Sequence, residues 1–204
     1  MRALPDGTAE PVKINIIFIL SVLTESVIFA MMNMNKIKAF VFDVDGVLTD
    51  GGLLADLQGE FYRTFDSKDG FGLRMAKMHG YHLGIITGGR SESIKMRFLA
   101  CGFKPEDIYL HSRDKMEDMT DFCKRNCISI DEVMYFGDDL PDVPVMSACG
   151  CGVAPADAVE EAKEAADYIC TKPGGKGCVR ECIEMVLKKH GKWVLDIEDY
   201  KQKY

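Results

Sequence analysis

The chain has 204 residues, 47% of them apolar and 28% charged. That is the composition of one globular domain with an appendage, and it excludes a disordered or fibrous polymer. The 25 Lys and Arg against 32 Asp and Glu leave a net charge of −7, which argues against a nucleic-acid or anionic-membrane binder, because affinity for phosphate backbones comes from clustered cations.

The first segment is the most apolar. Ile14 to Met32 reads INIIFILSVLTESVIFAMM, yet it carries Asn15, Ser21, Thr24, Glu25 and Ser26, a poor match to a spanning helix. Arg2 and Lys13 are balanced by Asp6 and Glu10, so a basic signal-peptide start is missing, and no small-x-small cleavage site follows. Residues 1–33 therefore read as a hydrophobic extension, over-long at its start or disordered, with Met31, Met32 or Met34 as initiator. A membrane anchor or signal is the alternative. Residues 34–204 form the working domain.

From Lys36 onward, apolar runs alternate with helical periodicity, the pattern of an α/β domain with a parallel sheet. Strands are expected at 39–42, 82–86, 108–110, 133–136, 151–154 and 168–170, and helices at about 70–79, 91–101, 115–127, 156–166 and 176–190. Several strands are apolar throughout, as strands covered on both faces are. Segment 50–66 holds two short strand-like pieces around a Gly-containing polar turn and reads as a projecting β-hairpin. The eight cysteines include no Cys-x-x-Cys and no pair near a suitably spaced His. They read as reduced, buried thiols of a cytoplasmic protein, not as a zinc site or a disulfide scaffold.

Chemistry-bearing residues gather at the strand ends, where ligands bind in open α/β sheets. Asp43 and Asp45 follow the first strand, and a turn at Gly46 lets both carboxylates converge. Thr87-Gly88 follows the second and offers a hydroxyl plus backbone N–H groups to an anion. Lys115 opens a helix after the third. Asp138, Asp139 and Asp142 crowd the loop after the fourth. Each piece alone is commonplace; a DxD, a Thr-Gly turn or a pair of loop aspartates occurs often without chemistry. Their order and shared placement make them specific.

In these motifs the chain resembles the haloacid dehalogenase superfamily of aspartyl phosphatases. DVDGVLTDG at 43–51, DGFGLR at 69–74, GDDLPDVPVM at 137–146 and GGKGCVRE at 174–181 are similar to one branch of it, the 3-deoxy-D-manno-octulosonate 8-phosphate (KDO 8-phosphate) phosphatases. The likeness spans roughly residues 36–192. It implies a Rossmann-like α/β fold, a parallel sheet flanked by helices. The 43 residues between Asp43 and Thr87 are too few for a separate cap domain.

The resemblance also implies roles. Asp43 is the expected nucleophile and Asp45 the acid/base. Mg²⁺ is expected on Asp43, the Asp45 backbone carbonyl and Asp138, with Asp139 and Asp142 in support. Thr87, Gly88 and Lys115 would hold the phosphoryl group. Arg97 and Arg180 are the candidate ligands for the rest of a sugar-acid phosphate, whose hydrolysis belongs to lipopolysaccharide precursor synthesis. Five aspartates against one lysine leave a formal −4 facing a dianionic ester, which explains the need for a divalent cation.

A homotetramer is expected, with segment 50–66 and the 174–177 turn of neighbouring subunits covering each site. One departure stands out: many relatives carry Thr-Gly-Arg where this chain has Thr87-Gly88-Gly89-Arg90. That leaves Arg90 as a possible substitute and a nine-carbon sugar-acid phosphate as an alternative substrate. A phosphorelay receiver domain places its acidic pair first, and here GDDLPD follows the lysine. A catalytically silent oligomerisation module of the same fold is the remaining alternative, opposed by the complete set of polar residues.

Overall fold

The computed structural model describes residues 34–203, so the readings of residues 1–33 and of Tyr204 lie outside it. In chain order the strands are β1 (Ala39–Phe42), β2 (Leu54–Ala55), β3 (Phe61–Tyr62), β4 (His82–Ile86), β5 (Ile108–Tyr109), β6 (Val133–Phe136), β7 (Cys151–Ala154) and β8 (Tyr168–Ile169). The helices are α1 (Ser67–Met78), α2 (Glu92–Leu99), α3 (Lys115–Asn126), α4 (Val143–Ala148), α5 (Glu160–Ala165), α6 (Cys178–Lys189) and α7 (Ile197–Lys203).

Six strands form one parallel sheet in the order β5-β4-β1-β6-β7-β8. The chain leaves β1 to build one side, β4 then β5, and returns to build the other. That puts the reversal of strand order at β1, where an α/β sheet opens a crevice at its carboxyl edge. All four β1 residues are fully buried, as are those of β6, because helices cover both faces. Phe42, Phe136, Phe98 and Phe103 form a chain of ring contacts beneath the carboxyl edge, the closest being Phe42 and Phe136 at 4.8 Å between centroids.

The expected fold is thus observed, with shifts at the edges. α1 begins at Ser67, ahead of the expected start, because the Asp66 carboxylate accepts the Lys68 N–H at 2.6 Å and caps it. α5 starts only at Glu160, since Ala156 to Val159 are spent on a turn after Pro155. Two helices carry no clear sequence signal. α4 is six residues long with Pro144 in its first turn, the one place where a helix tolerates proline. α7 has no apolar period, and the Asp196 carboxylate caps it by accepting from Glu198 and Asp199 N–H.

The β2–β3 hairpin is a separate two-stranded sheet of two residue pairs. All eight cysteines are free thiols and six are buried. Among the described residues no helix is long and apolar enough to cross a membrane.

Candidate active site

The sheet register delivers the first two acidic groups side by side. Phe42 pairs with Phe136, and the Asp43 N–H donates to the Phe136 carbonyl at 2.9 Å. Asp43 therefore leaves β1 next to where Gly137 and Asp138 leave β6. Gly46 then turns the chain with φ of 88°, and a Cβ on it would stand 1.9 Å from Asp138 Oδ2. Only glycine fits that conformation and that approach.

Thr87 follows β4, buried, and its Oγ1 accepts the Gly89 N–H at 3.1 Å. The Ser112 N–H donates to the Thr87 carbonyl at 2.9 Å, which ties the loop after β5 to the loop after β4. Asp114 caps α3 by accepting from Met116 and Glu117 N–H, so Lys115 starts that helix with its side chain turned inward and 8% exposed.

Lys115 Nζ lies 2.7 Å from Asp142 Oδ1 and 3.2 Å from Asp43 Oδ2. Asp142 is the most fully occupied acid. Its Oδ1 also accepts the Tyr135 hydroxyl at 2.5 Å, and its Oδ2 accepts the Asp138 and Asp139 N–H at 3.3 and 3.4 Å. Asp139 is exposed and caps the turn at Leu140–Asp142 by accepting the Leu140 N–H.

The electrostatics follow from this crowding. Burial, then the nearby Asp142 charge, pushes the Asp43 carboxyl up to about 7 despite Lys115. Burial, then Asp43 and Asp142, pushes Asp138 up to about 7 as well. Burial works against the Lys115 charge, but Asp43 and Asp142 outweigh it and hold the ammonium above the usual lysine range.

Oxygens of Asp43, Asp138 and Asp142 lie within 4.8 Å of one another. Asp43 Oδ1 and Asp138 Oδ1 are buried without a hydrogen-bond partner, whereas both Asp142 oxygens are engaged. Two orphaned carboxylate oxygens in an all-oxygen donor set fit a hard divalent cation, and Asp142 fits the part of a support that aims Lys115.

A cavity of about 470 Å³ opens over this group. Asp43, Asp45, Thr87, Gly88, Lys115, Asp138, Asp139 and Asp142 all line it. The fold thus brings together eight of the ten expected site residues.

Arg97 and Arg180 do not join them within one chain. The Arg97 guanidinium lies 5.7 Å from the Phe65 ring centroid, and its Nη2 packs so close to Gly70 that a Cβ there would meet it at 2.6 Å. Arg180 is held between Phe71 and Trp193, 5.0 and 4.5 Å from their ring centroids, and its Nε pairs with Glu184 at 3.0 Å. Arg90, on the loop before α2, does not line the cavity either, so nothing in one chain substitutes it for the missing arginine.

The 174–177 turn lies beneath its own catalytic loop. A Cβ on Gly174 would stand 1.8 Å from the Gly46 carbonyl oxygen, and the Gly175 N–H donates to the Val47 carbonyl at 2.9 Å. This turn is a buttress of the DxD loop.

Three contributors escaped the sequence reading. Tyr135 is one, and an OH in an otherwise apolar strand was its available signal. Arg63 of the hairpin is another: its Nε and Nη2 meet the Asp45 carboxylate at 2.6 and 2.8 Å. Asp69 is the third, accepting the Arg180 N–H at 2.6 Å and the Gly177 N–H at 3.3 Å and so fastening the start of α6.

Comparison with known proteins agrees with this geometry. Residues 90–180 match the haloacid dehalogenase-like hydrolase family. The chain is 35% identical over 159 residues to the 3-deoxy-D-manno-octulosonate 8-phosphate phosphatase of Haemophilus influenzae, covering 78% of this chain and 87% of that one. Among solved structures it is similar to the Moraxella catarrhalis phosphatase in complex with magnesium, phosphate and KDO. That match has 34% identity and a TM-score of 0.75, over 80% of this chain and 91% of the other. The cobalt-bound Haemophilus influenzae enzyme is matched at 33% identity and a TM-score of 0.76, over 82% and 98%. With its sheet, its acidic site and these relatives in agreement, the chain belongs to the 3-deoxy-D-manno-octulosonate 8-phosphate phosphatases, a family of haloacid dehalogenase-like hydrolases.

Proposed function

We propose that the chain hydrolyses KDO 8-phosphate to KDO and phosphate with the help of Mg²⁺. The observation that carries this reading is the pairing of Asp43 and Asp138, each with a buried unpartnered oxygen, beside Lys115 and Thr87 in one cavity. The relatives supply the substrate: the Moraxella catarrhalis enzyme was solved with magnesium, phosphate and KDO together.

Asp43, the Asp45 backbone carbonyl and Asp138 would hold Mg²⁺. When bound, the ion offsets the charge of the carboxylates and of the phosphoryl oxygens. Asp43 Oδ2, oriented by Lys115 at 3.2 Å, attacks phosphorus. The bond between phosphorus and the sugar oxygen breaks, and Asp45 gives that oxygen its proton. The resulting aspartyl phosphate is then attacked by water, whose proton Asp45 takes back, which restores the Asp43 carboxylate and the Asp45 acid. Thr87 Oγ1 and the Gly88 backbone hold the phosphoryl oxygens, and Lys115 balances their charge.

Asp142 contributes through position: it holds Lys115 with one oxygen and the Asp138 loop with the other. Asp139 fixes the turn that carries Asp142.

A second copy of the chain is the proposed cover for the cavity, in a homotetramer. The hairpin supports this, because Leu54 is 71% and Leu57 fully exposed, with Phe61 and Tyr62 half exposed beside them. Two residue pairs cannot hold such a hairpin in water on their own. Arg97 and Arg180, remote from their own chain's cavity, could reach substrate only across such a contact.

The test is phosphate release from KDO 8-phosphate by the purified chain, before and after chelation and with Mg²⁺ restored. Release that disappears with chelation and returns with Mg²⁺ is expected. Equal release after chelation, or none with Mg²⁺ present, overturns the proposal.

A further inference from the structure

Asp45 stands on the turn after β1, partly exposed, and backbone geometry alone leaves its carboxylate free to rotate about χ2. What stops it is Arg63, eighteen residues on, at the end of the hairpin. The guanidinium meets the carboxylate as a fork, Nε to Oδ1 at 2.6 Å and Nη2 to Oδ2 at 2.8 Å. Its third nitrogen donates to the Phe61 carbonyl at 3.1 Å, which fixes the fork to β3. The Arg63 side chain is 4% exposed, although it comes from the most exposed element of the fold.

Room for the fork comes from Gly89, the second glycine after Thr87. A Cβ at Gly89 would stand 3.3 Å from Arg63 Nη2, 3.3 Å from Thr87 Oγ1 and 2.8 Å from Ile94 Cδ1. Any side chain at 89 would press on the guanidinium and on Thr87 together. Among the described residues no other side chain is hydrogen-bonded to the Asp45 carboxylate.

An exposed ion pair contributes little to stability, about 1 kcal/mol or less. A two-point fork on a shielded arginine does something else, because it sets the plane of the carboxylate. We propose that Arg63 is the positioning residue for Asp45, holding its carboxylate in the orientation from which it exchanges a proton with the sugar oxygen. The hairpin then aims the acid/base group, and a displacement of the hairpin carries Asp45 with it. Arg63 acts through Asp45 and needs no contact with substrate. The proposal rests on the role given to Asp45 above.

The test compares single-turnover rates with Mg²⁺-loaded enzyme in excess, which report bond breaking alone. The substrates are KDO 8-phosphate, whose leaving alkoxide needs a proton, and p-nitrophenyl phosphate, whose leaving phenolate does not. Arg63→Ala should lower the saturated rate on KDO 8-phosphate about 30-fold, within the roughly 100-fold that a misplaced catalytic group costs. The half-saturating concentration should move less than about threefold, as expected when only the transition-state interaction is lost. On p-nitrophenyl phosphate the same change should cost less than about threefold, because the acid's contribution falls away with a good leaving group.

Arg63→Lys, which keeps one donor of the fork, should recover part of the loss. Should Arg63→Ala fold poorly, the leaving-group comparison on Arg63→Lys alone serves as the readout. Adding Arg63→Ala to Asp45→Asn should change nothing further, since the group being positioned is gone. Equal losses on both substrates, or a full further loss in the Asp45→Asn background, overturn the proposal. Asp45→Asn with an undiminished rate on KDO 8-phosphate overturns it through its premise instead, and so separates the two failures.

Discussion

The floor of the site and the hairpin beside it are built on opposite terms. The floor, Asp43, Lys115, Asp138 and Asp142, hangs from the buried ends of β1 and β6 and the start of α3. Every support there comes from within the chain: the Phe42–Phe136 register, the Tyr135 hydroxyl, and the Gly174 turn pressed beneath the DxD loop. The hairpin has two residue pairs, with its leucines in solvent. Among the described residues its segment is tied to the rest of the domain by side-chain hydrogen bonds from Arg63 to Asp45, between Glu60 and Ser91, and from Lys176 to Asp50. The contrast teaches that one chain suffices to assemble the charged chemistry, and it leaves the exposed hairpin as the surface on which the proposed second copy would seat.

Changes to the floor should break the chemistry outright. Asp43→Asn removes the proposed nucleophile, and phosphate release should fall by more than about 10⁴-fold, a loss typical of a deleted nucleophile. The same variant, without metal, should melt no lower than the parent, because it relieves a buried charge that repels Asp142. A scan showing a lower melting temperature would count against that picture.

Lys115→Met acts on activity and stability together. It strands Asp43 and Asp142 without their counter-charge, and breaking a buried pair in this way costs about 3–5 kcal/mol. Denaturant unfolding checks the figure, and a midpoint within error of the parent would contradict it.

The acidic floor also predicts how stability without metal depends on pH. The carboxyls of Asp43 and Asp138, raised to about 7 in the fold, are ionised more readily in the unfolded chain. Their contribution to stability is therefore complete below about 4 and is lost as the pH rises to about 7. Metal-free protein should melt lower at pH 8 than at pH 6, and Mg²⁺ should raise the melting temperature more at pH 8. The opposite order of the two shifts would refute the cluster as a cation site.

The hairpin gives the smallest effect on the chain itself. Leu57→Glu changes a fully exposed side chain, so the fold of one chain should be unaffected, within about 0.5 kcal/mol. The proposed homotetramer should dissociate, and gel filtration should show a smaller species with reduced turnover. Full turnover at the monomer mass would remove the second copy from the mechanism.

The sheet and the floor were legible in the sequence for a local reason. Each strand is a short apolar run, and each catalytic group follows such a run within a few residues, so chain order alone places it at the carboxyl edge. Arg63 was not legible, because its partner lies eighteen positions away and only the fold of the hairpin joins them. The buttressing role of Gly174 was hidden for the same reason: the sequence shows a glycine-rich turn but not which loop it touches. Arg97 and Arg180 show the reverse case. Both lie where resemblance suggests a ligand, yet in this chain they stack on Phe65, Phe71 and Trp193. α4 was not legible because six residues are too few to show a helical period; its single proline, Pro144, stands in the first turn, where its missing N–H has no helical partner to lose.

The most direct measurement is kcat/KM, with Mg²⁺, for KDO 8-phosphate, for a nine-carbon sugar-acid 9-phosphate and for a simple hexose phosphate. A clear preference for KDO 8-phosphate is the expected result. Preference for the nine-carbon compound would move the chain to a sister specificity. Fastest turnover of the hexose phosphate would contradict the assignment of a sugar-acid substrate altogether.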